Sequence, residues 1–350
     1  MPPLVALQRS ITSPDHAGPH SNEKRFFLVD LSVIIVSYNT RDQLLRCVDS
    51  VIVSVERAEA SHSLSRDARI ISRGYEIIVV DNASQDGSAV SLRRYFPEIR
   101  IIQNEFNRGF AAACNQAIEI SQGRLLLFLN PDTYILDSAI LDLMRFLDQF
   151  PRAGMVTSKL LHADGSLQHS GFRFPTLWMT LLDFFPLSRR LTNSKLNGRY
   201  PVSAYQAPFE IDHPLGACMM VRREVVERVG PLSEDFFMYC EEIDWSFRIK
   251  RDGWRIYCQP QAEVVHLGGQ STSQQADKMY VELFRSRLLL FRKYYNPFFR
   301  VLAKTIIGLG MWCEFSSAQR RYLASQITRE RYIGRISACR QVVLLLRNHG

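Results

Sequence analysis

The chain has 350 residues, of which 46% are hydrophobic and 22% charged, and this composition excludes a wholly disordered protein. Its formal net charge is +8, yet residues 283–350 alone carry 13 Lys and Arg against two Glu. The rest of the chain is therefore slightly acidic, and the basic end indicates a polyanionic partner, either a nucleic acid or an anionic membrane. Seven scattered cysteines without Cys-x-x-Cys spacing predict reduced thiols rather than a zinc site or a disulfide frame.

Residues 1–30 are rich in Pro, Ser and His and contain no long apolar run. This predicts a flexible leader rather than a signal peptide. No stretch of the sequence has the uninterrupted apolar length that a transmembrane helix requires.

Strands and helices are predicted to alternate over residues 31–150. Short β-branched or apolar runs predict strands at 31–37, 76–80, 100–103 and 124–129. Helices are predicted at about 42–55, up to residue 96, over 109–121 and over 137–150, with a polar surface loop at 56–74. Such alternation predicts an α/β fold with a mostly parallel, Rossmann-like sheet covered by helices on both faces.

After Pro151 the pattern becomes less regular. Strand-like pieces at 154–160, 209–212 and 217–221 surround an irregular region at 164–208. A helix over about 241–251 and strand-like pieces near 254–258 and 262–266 complete this part.

The predicted strands of the first half end in polar residues. These ends are 37–39, 81–84, 104–109 and 130–132, and each contains Asn or Asp. Asn, Asp and Ser also cap helices and form turns, so any one of these ends has a structural explanation. Four of them on the carboxyl edge of one sheet favour a ligand pocket.

Five motifs in this order resemble the family-2 glycosyltransferases of GT-A fold, over about residues 31–270. They are Val-Ser-Tyr-Asn (36–39), Val-Val-Asp-Asn-Ala-Ser-x-Asp-Gly-Ser (79–88), Asn-x-Gly-Phe (107–110), Leu-Asn-Pro-Asp (129–132) and Glu-Glu-x-Asp-Trp (241–245). Among members, the chain is most similar to bacterial rhamnosyltransferases of cell-wall and polysaccharide assembly. The resemblance implies a nucleotide-sugar-binding half at 31–150 and an acceptor and catalytic half at 151–280, followed by a basic amphipathic helical tail at 281–350.

The resemblance implies a donor site at the strand ends. Asp81 would bind the pyrimidine base, since an acceptor-only carboxylate suits a ring N–H, with Ser37 and Asn39 nearby. The donor residues further include Asn107, Arg108, Gly109 and Asn130. The three at 107–109 precede a helix whose free N–H groups would favour a phosphate, with Gly109 allowing close approach.

Residues 130–132 stand where the family has an Asp-x-Asp metal motif, with Asn130 replacing the first Asp. The resemblance implies Asp132 as a ligand of Mg²⁺ or Mn²⁺, against the alternative of helix capping. His266 stands where some members have a further metal ligand, against the alternative of a hydrogen-bonded polar residue. The missing carboxylate predicts weak metal binding without donor.

Three carboxylates begin the helix predicted at 241–251. Acidic residues in a first turn also complement the helix dipole. The resemblance implies Glu242 as the general base, with Glu241 as the alternative, and it assigns Glu241 or Asp244 to acceptor hydroxyls. Clustered negative charge favours protonation, which helps a carboxylate act as a base. Trp245 would stack on a sugar face or pack in the core.

Two apolar regions have open alternatives. The segment 171–191 either lies on lipid beside the acceptor site or closes the core. From Tyr280 onward aromatic and aliphatic residues alternate with Arg and Lys, which favours attachment to anionic lipid, against a helical cap packed on the catalytic part. We therefore expect a peripheral protein on the inner face of the plasma membrane.

The function expected from this sequence is inverting transfer of a sugar from a nucleotide-diphosphate donor. The resemblance points to dTDP-rhamnose and to a polyprenyl-diphosphate-linked saccharide or polysaccharide acceptor. Mannose, galactose or galactofuranose from a UDP or GDP donor is the nearest alternative. A non-catalytic membrane-binding protein of the same fold and a nucleic-acid binder are the alternatives of other classes, and no nucleic-acid partner is expected. No Gly-x-Gly-x-x-Gly follows the first strand, which disfavours a dehydrogenase.

Overall fold

The computed structural model describes residues 29–62, 74–185, 188, 191, 194–269 and 276–348. Most of the leader predicted at 1–30 and of the loop predicted at 56–74 lies outside them. Residues 29 and 30 belong to a strand and residues 56–62 to a helix, so both predicted boundaries are wrong there. The strands are β1 (Val29–Ser37), β2 (Tyr75–Asp81), β3 (Arg100–Gln103), β4 (Gly123–Leu129), β5 (Thr133–Ile135), β6 (Ala153–Leu161), β7 (Leu167–Gln168), β8 (Gly171–Phe172), β9 (Phe209–Ile211), β10 (His213–Pro214), β11 (Cys218–Arg222) and β12 (Arg255–His266). The helices are α1 (Arg41–His62), α2 (Ser88–Tyr95), α3 (Phe110–Ile120), α4 (Ala139–Gln149), α5 (Leu177–Phe184), α6 (Arg223–Val229), α7 (Glu241–Arg251), α8 (Ala276–Tyr294), α9 (Pro297–Leu323) and α10 (Arg329–Asn348).

One large sheet runs through both predicted halves, in the order β3-β2-β1-β4-β11-β6-β12-β5. β1, β2, β3 and β4 are mutually parallel, while β11 is antiparallel to both β4 and β6. Because β12 is parallel to β6, it runs in the same direction as β4. The carboxyl ends of β1, β2, β4 and β12 and the amino end of β11 therefore meet at one edge of the sheet.

Alternate residues of the central strands point to opposite, equally buried faces, as expected of a parallel sheet covered on both sides. Leu31, Val33 and Ile35 pack with apolar residues of α1 and α4. Ile34 and Val36 pack with those of α3, α6 and α7. This confirms the predicted α/β fold with helices on both faces.

Residues 255–266 form one strand, where the sequence predicted two short pieces. The pairing of β12 with β6 shifts register between Gln259 and Glu263. Pro260 lies in this interval and has no N–H to donate to a ladder, so it is accommodated at an irregularity. The predicted gap thus corresponds to a bulge in a continuous strand.

The C-terminal helices form a small bundle with its own core. Its buried members are Val281, Phe284, Leu288, Phe291, Ala303, Ile307, Met311, Ala338, Cys339 and Val342. On another face of α8, Leu290 packs with Phe236, Cys240 and Ile243 around the start of α7. α8 therefore belongs to both the bundle and the catalytic part, and the boundary predicted at residue 281 falls inside it. No helix in the described part of the chain is long and apolar enough to cross a bilayer.

Candidate active site

Asp81, at the end of β2, has an unsatisfied oxygen at the ligand-binding edge of the sheet. Its side chain is buried, and Oδ1 accepts the N–H of Ser84 at 3.0 Å. Oδ2 is also buried, but it has no hydrogen-bond partner in the part of the chain that the structure describes. An unpaired buried acceptor is unfavourable by about 1–3 kcal/mol, so this oxygen is available for an N–H group of a ligand.

Ser37 and Asn39 surround Asp81, but the structure uses both side chains internally. Ser37 is fully buried, and its hydroxyl is hydrogen-bonded to that of Thr40 at 3.0 Å. The prediction that Ser37 contacts the donor is therefore wrong. Asn39 adopts a positive φ of 51°, and its Oδ1 accepts the N–H of Gln85 at 2.7 Å. Asn39 thus holds the turn that follows Asp81.

Asn82, which the sequence analysis did not single out, organises the turn before α3. Its side-chain amide donates to Asn107 Oδ1 at 2.8 Å, and its Oδ1 accepts the backbone N–H of Arg108 at 3.0 Å. Asn107 Oδ1 in turn accepts the N–H of Gly109 at 2.9 Å. Asn107 therefore shapes the loop, and the Arg108 guanidinium stays a predicted phosphate contact.

Gly109 permits the close approach of protein, not of a phosphate. It has a φ of 82°, and a Cβ on it would lie 2.4 Å from the carbonyl oxygen of Phe237. That carbonyl accepts the N–H of Phe110 at 2.8 Å. Because the N–H groups of residues 108, 109 and 110 all have protein acceptors, they do not support the predicted phosphate contact at the start of α3, which stays a prediction.

Asp132 and His266 meet where β4 and β12 end. Asp132 is buried, and its Oδ1 lies 3.5 Å from Nε2 of His266. The amide nitrogen of Asn130 also lies 3.5 Å from that Nε2. β5 follows Asp132 directly, and the next helix is preceded by Ser138, so Asp132 does not cap a helix.

Gln168 orients the His266 ring, and it was missed in the sequence. Nδ1 of His266 lies 2.9 Å from Oε1 of Gln168. With Nδ1–H donating to this oxygen, the Nε2 lone pair faces Asp132, which is the arrangement found around metal-bound histidines. Within the described residues no three His, Cys, Asp or Glu side chains gather as a metal site. Asp132 and His266 would thus supply two ligands, and a carboxylate with an imidazole suits Mn²⁺ better than Mg²⁺.

The residues before α7 hold an unusual backbone conformation. Tyr239 and Cys240 both have a positive φ, 68° and 66°. Non-glycine residues adopt this region at an energetic cost, and such strain concentrates at functional sites. On α8, Ser286 Oγ donates to the carbonyl of Met238 at 2.7 Å, which helps to fix the turn.

Glu242 lies beside the turn that contains Asn130. A Cβ built on Gly216 would be 3.8 Å from Glu242 Cγ, and the next carbonyl, that of Ala217, accepts the N–H of Asn130 at 3.0 Å. Burial raises the pKa of Glu242 from 4.5 to about 7. A carboxylate that titrates near neutral pH is suited to general-base catalysis.

Glu241 is buried at the start of α7. It is 5% exposed, and its Oε2 has no hydrogen-bond partner among the described residues. Burial, followed by the negative charge of Glu242, raises the pKa of Glu241 well above its ordinary value. Its own charge acts on the buried Cys114 thiol of α3. The prediction that Glu241 binds acceptor hydroxyls is therefore not supported.

Asp244 and Trp245 are structural, which corrects their predicted acceptor contacts. Asp244 is fully buried, with Oδ2 2.9 Å from Nε of Arg248 and Oδ1 2.8 Å from both Nζ of Lys293 and the hydroxyl of Tyr294. Lys293 and Tyr294 belong to α8, so the carboxylate joins α7 to α8. Trp245 is 0% exposed and donates its indole N–H to the carbonyl of Gly230 at 3.0 Å.

A cavity of about 790 Å³, hereafter the cleft, opens at this edge of the sheet. Tyr38, Asn82, Asn107, Asn130 and Asp132 line one side of it. Glu242 is not in its wall but adjoins it through Gly216 and Ala217. The volume falls within the range of small-molecule sites, about 300–1,000 Å³.

The α5 segment within the region 171–191 packs on the C-terminal bundle. Gly310 of α9 lies so close to Phe184 that a Cβ on the glycine would be 2.3 Å from the ring. On another face of α5, Trp178 is 57% exposed. The helix therefore closes the bundle core with one side and presents an aromatic ring to solvent with the other.

Proteins of known name are similar to this chain in sequence. The chain is 25% identical over 261 residues to an N-acetylglucosaminyl-diphospho-decaprenol L-rhamnosyltransferase of Mycobacterium tuberculosis, covering 70% of this chain and 78% of that one. It is 28% identical over 271 residues to the low-salt glycan biosynthesis hexosyltransferase Agl10 of Haloferax volcanii, covering 75% of each.

A solved structure shows the same fold. The mannosyltransferase PcManGT of Pyrobaculum calidifontis, in complex with GDP-Man and Mn²⁺, matches with a TM-score of 0.50 at 16% identity, over 92% of this chain and 87% of that one. This likeness identifies the fold as GT-A. The family model described as Glycosyl transferase family 2 matches residues 32–230, more than half of the chain. The chain therefore belongs to glycosyl transferase family 2.

Proposed function

We propose that this protein transfers rhamnose from dTDP-rhamnose to a polyprenyl-diphosphate-linked saccharide, with inversion at the anomeric carbon. The observation that carries the proposal is the position of Glu242, a carboxylate with a pKa of about 7, beside the turn that bears Asn130 and Asp132. A base and a site for the leaving diphosphate thus lie at one sheet edge. This is the arrangement that a single displacement requires.

The donor end is built from Asp81 and Asp132. The unpaired Oδ2 of Asp81 is suited to the ring N–H of a pyrimidine such as thymine. Asp132 and His266 would hold a divalent cation, with Gln168 fixing the imidazole. Such a cation supplies charge neutralisation for the departing nucleotide diphosphate. With two protein ligands, we expect much of its coordination to come from the donor.

The acceptor end is built around Glu242. Its carboxylate takes the proton of the acceptor hydroxyl as that oxygen attacks the anomeric carbon, and the sugar–phosphate bond breaks on the opposite face. Glu241 precedes it on the helix, and burial together with the negative charge of Glu242 raises the pKa of Glu241, which disfavours two adjacent negative charges. Asp244, held by Lys293, fixes the helix that carries the base.

The choice of sugar and acceptor rests on the named relatives. The Mycobacterium tuberculosis protein, by its name, transfers L-rhamnose to a lipid-linked diphosphate saccharide. Mannose from a GDP donor is the second candidate, because PcManGT was solved with GDP-Man. The expected preference for a pyrimidine nucleotide over guanine rests on the position of Asp81 alone, so the donors have to be compared directly.

We further propose that α9 attaches the protein to the anionic inner face of the plasma membrane. Phe298, Val301, Leu309 and Trp312 are 73%, 62%, 55% and 69% exposed and recur at helical spacing. Ala303, Ile307 and Met311 on the opposite face are buried in the bundle. An exposed apolar stripe on a segment with a large basic excess is typical of a helix that lies in the lipid interface. A nucleic acid would not require this stripe.

A screen of nucleotide sugars tests the catalytic proposal. Wild-type protein with Mn²⁺ would be incubated with dTDP-rhamnose, UDP-galactose and GDP-mannose, and its thermal unfolding followed. We expect dTDP-rhamnose to raise the melting temperature most, because a ligand that binds only the folded state stabilises it. Greater protection by GDP-mannose would replace the proposed donor, and no protection by any nucleotide sugar would refute the enzymatic function.

A further inference from the structure

The cleft has a second wall, made by the C-terminal helices rather than by the sheet. Lys278, Glu282 and Arg285 of α8 and Gly334, Ser337 and Gln341 of α10 line it. Within each helix these residues are separated by three, four or seven positions, so each set lies on one helical face. The bundle thus turns one continuous surface toward the strand ends that carry Asn130 and Asp132.

The polar and charged side chains of this wall differ in whether they are paired with other residues. Arg285 is paired with Glu282, Nε to Oε2 at 3.1 Å. Gln341 donates to the hydroxyl of Ser337 at 3.2 Å. Lys278 is exposed and forms no ion pair with any residue in the described part of the chain. Among the described residues it is therefore an unpaired cation of the cleft wall, next in sequence to Asp277, which lines the cleft as well.

α8 and α10 approach closely at this wall. The carboxylate of Asp277, which also lines the cleft, lies where a Cβ on Gly334 would be, and Ser337 is exposed. The cleft, with a volume of about 790 Å³, extends from the strand ends to this wall. A free ammonium group opposite a cation site for a diphosphate is suited to bind a further phosphate oxygen.

We propose that Lys278 and the adjoining faces of α8 and α10 bind a diphosphate group of a substrate, so that the C-terminal bundle forms part of the substrate site. This rests on the proposed function. The diphosphate belongs either to the lipid-linked acceptor or to the nucleotide donor. Both present the same anionic oxygens to Lys278, and binding measurements distinguish them.

The test measures binding of two probes by calorimetry, farnesyl diphosphate for a lipid diphosphate and dTDP with Mn²⁺ for the donor. Lys278→Gln is expected to weaken one of them about fivefold or more, as the loss of a charged phosphate contact predicts. Ser337→Trp would fill the cleft and weaken the same probe. Arg340→Gln and Arg340→Trp are matched controls, because Arg340 is an exposed cation of α10 outside the cleft wall.

Weaker farnesyl diphosphate binding would identify the acceptor's diphosphate, and weaker dTDP binding the donor's. Unchanged affinity of Lys278→Gln for both probes would overturn the proposal, whatever the Ser337 variant does. An equal effect of the Arg340 variants would overturn it as well, since it would reflect general charge. If wild-type protein bound neither probe, this inference and the proposed function would both fail, whereas dTDP binding that ignores Lys278 would refute this inference alone.

Discussion

Replacing Glu242 by glutamine should have opposite effects on activity and on stability. The substitution keeps the shape of the side chain and removes its charge. Without a base to take the acceptor proton, transfer should fall by about 100- to 10,000-fold, the range measured for general bases. In the wild-type protein, kcat/KM should rise with pH and level off above an apparent pKa of about 7, because only the ionised carboxylate accepts a proton.

The stability effect follows from the raised pKa of Glu242. Since burial raises it from 4.5 to about 7, the folded protein holds this proton more tightly than the unfolded chain does. The wild-type contribution is therefore fully present below about pH 4.5 and is lost as the pH rises through 7. At alkaline pH the ionised carboxylate is unfavourable by less than about 3 kcal/mol, because the side chain is half-buried and solvent screens its charge. Glu242→Gln avoids this ionisation.

Thermal unfolding at pH 5 and at pH 8.5 measures the difference. We expect Glu242→Gln to melt a few degrees above wild type at pH 8.5 and close to wild type at pH 5. Glu119→Gln is a suitable control, because Glu119 is exposed on α3 and should change neither activity nor melting. Unchanged turnover of Glu242→Gln would remove it as the base, and a lower melting temperature at pH 8.5 would refute the argument from burial.

Three further substitutions test other parts of the site. Asp132→Ala should weaken dTDP binding measured calorimetrically with Mn²⁺ and leave dTDP binding without metal unchanged. If the variant bound dTDP as tightly as wild type in both conditions, Asp132 would be excluded as a metal ligand. Asp81→Asn keeps the acceptor for Ser84 but replaces the free oxygen by a donor, so dTDP affinity should fall about tenfold, and an unchanged affinity would contradict base recognition. Asp244→Ala leaves Arg248 without its anion and Lys293 with only the exposed Asp235, 3.6 Å away. Breaking a buried pair costs about 3–5 kcal/mol, and because Lys293 and Arg248 are 31% and 25% exposed we expect a loss of about 2–3 kcal/mol in urea unfolding. A loss below 1 kcal/mol would show that α7 and α8 are held together mainly by apolar packing. Finally, Trp312→Glu should reduce sedimentation with anionic vesicles, and undiminished binding would move attachment away from α9.

The sheet and the position of its ligand-binding edge were predictable from the sequence. Residues 33–36 are four consecutive β-branched residues, as in a buried parallel strand, and parallel strands end at a common edge, so Asp81 and Asp132 were expected there. The approach of His266 to Asp132 followed from motif order, whereas its partner Gln168 did not. Gln168 lies 98 residues away in sequence, on a two-residue strand that no periodicity indicates.

The functional assignments within α7 show what sequence spacing cannot decide. Acidic residues in a first helical turn look alike in sequence, yet Glu242 borders the cleft while Asp244 is buried in an ion pair. One signal was present, since Arg248 lies four residues after Asp244 and favours a pair along the helix. Nothing in the sequence indicated the partners of Asp244 on α8, because a contact between residues 49 positions apart depends on how the C-terminal bundle packs on the rest of the protein.

The sharing of α8 between two cores determines where this enzyme can be shortened. A chain ending at residue 282 would lack Ser286, Lys293 and Tyr294, so the turn before the base and the anchor of Asp244 would both be lost. A chain ending just after α8 would keep those contacts but expose Phe284, Leu288 and Phe291, and it would be prone to aggregate. The smallest active unit therefore includes the entire bundle, and loss of activity on truncation would say nothing about lipid attachment.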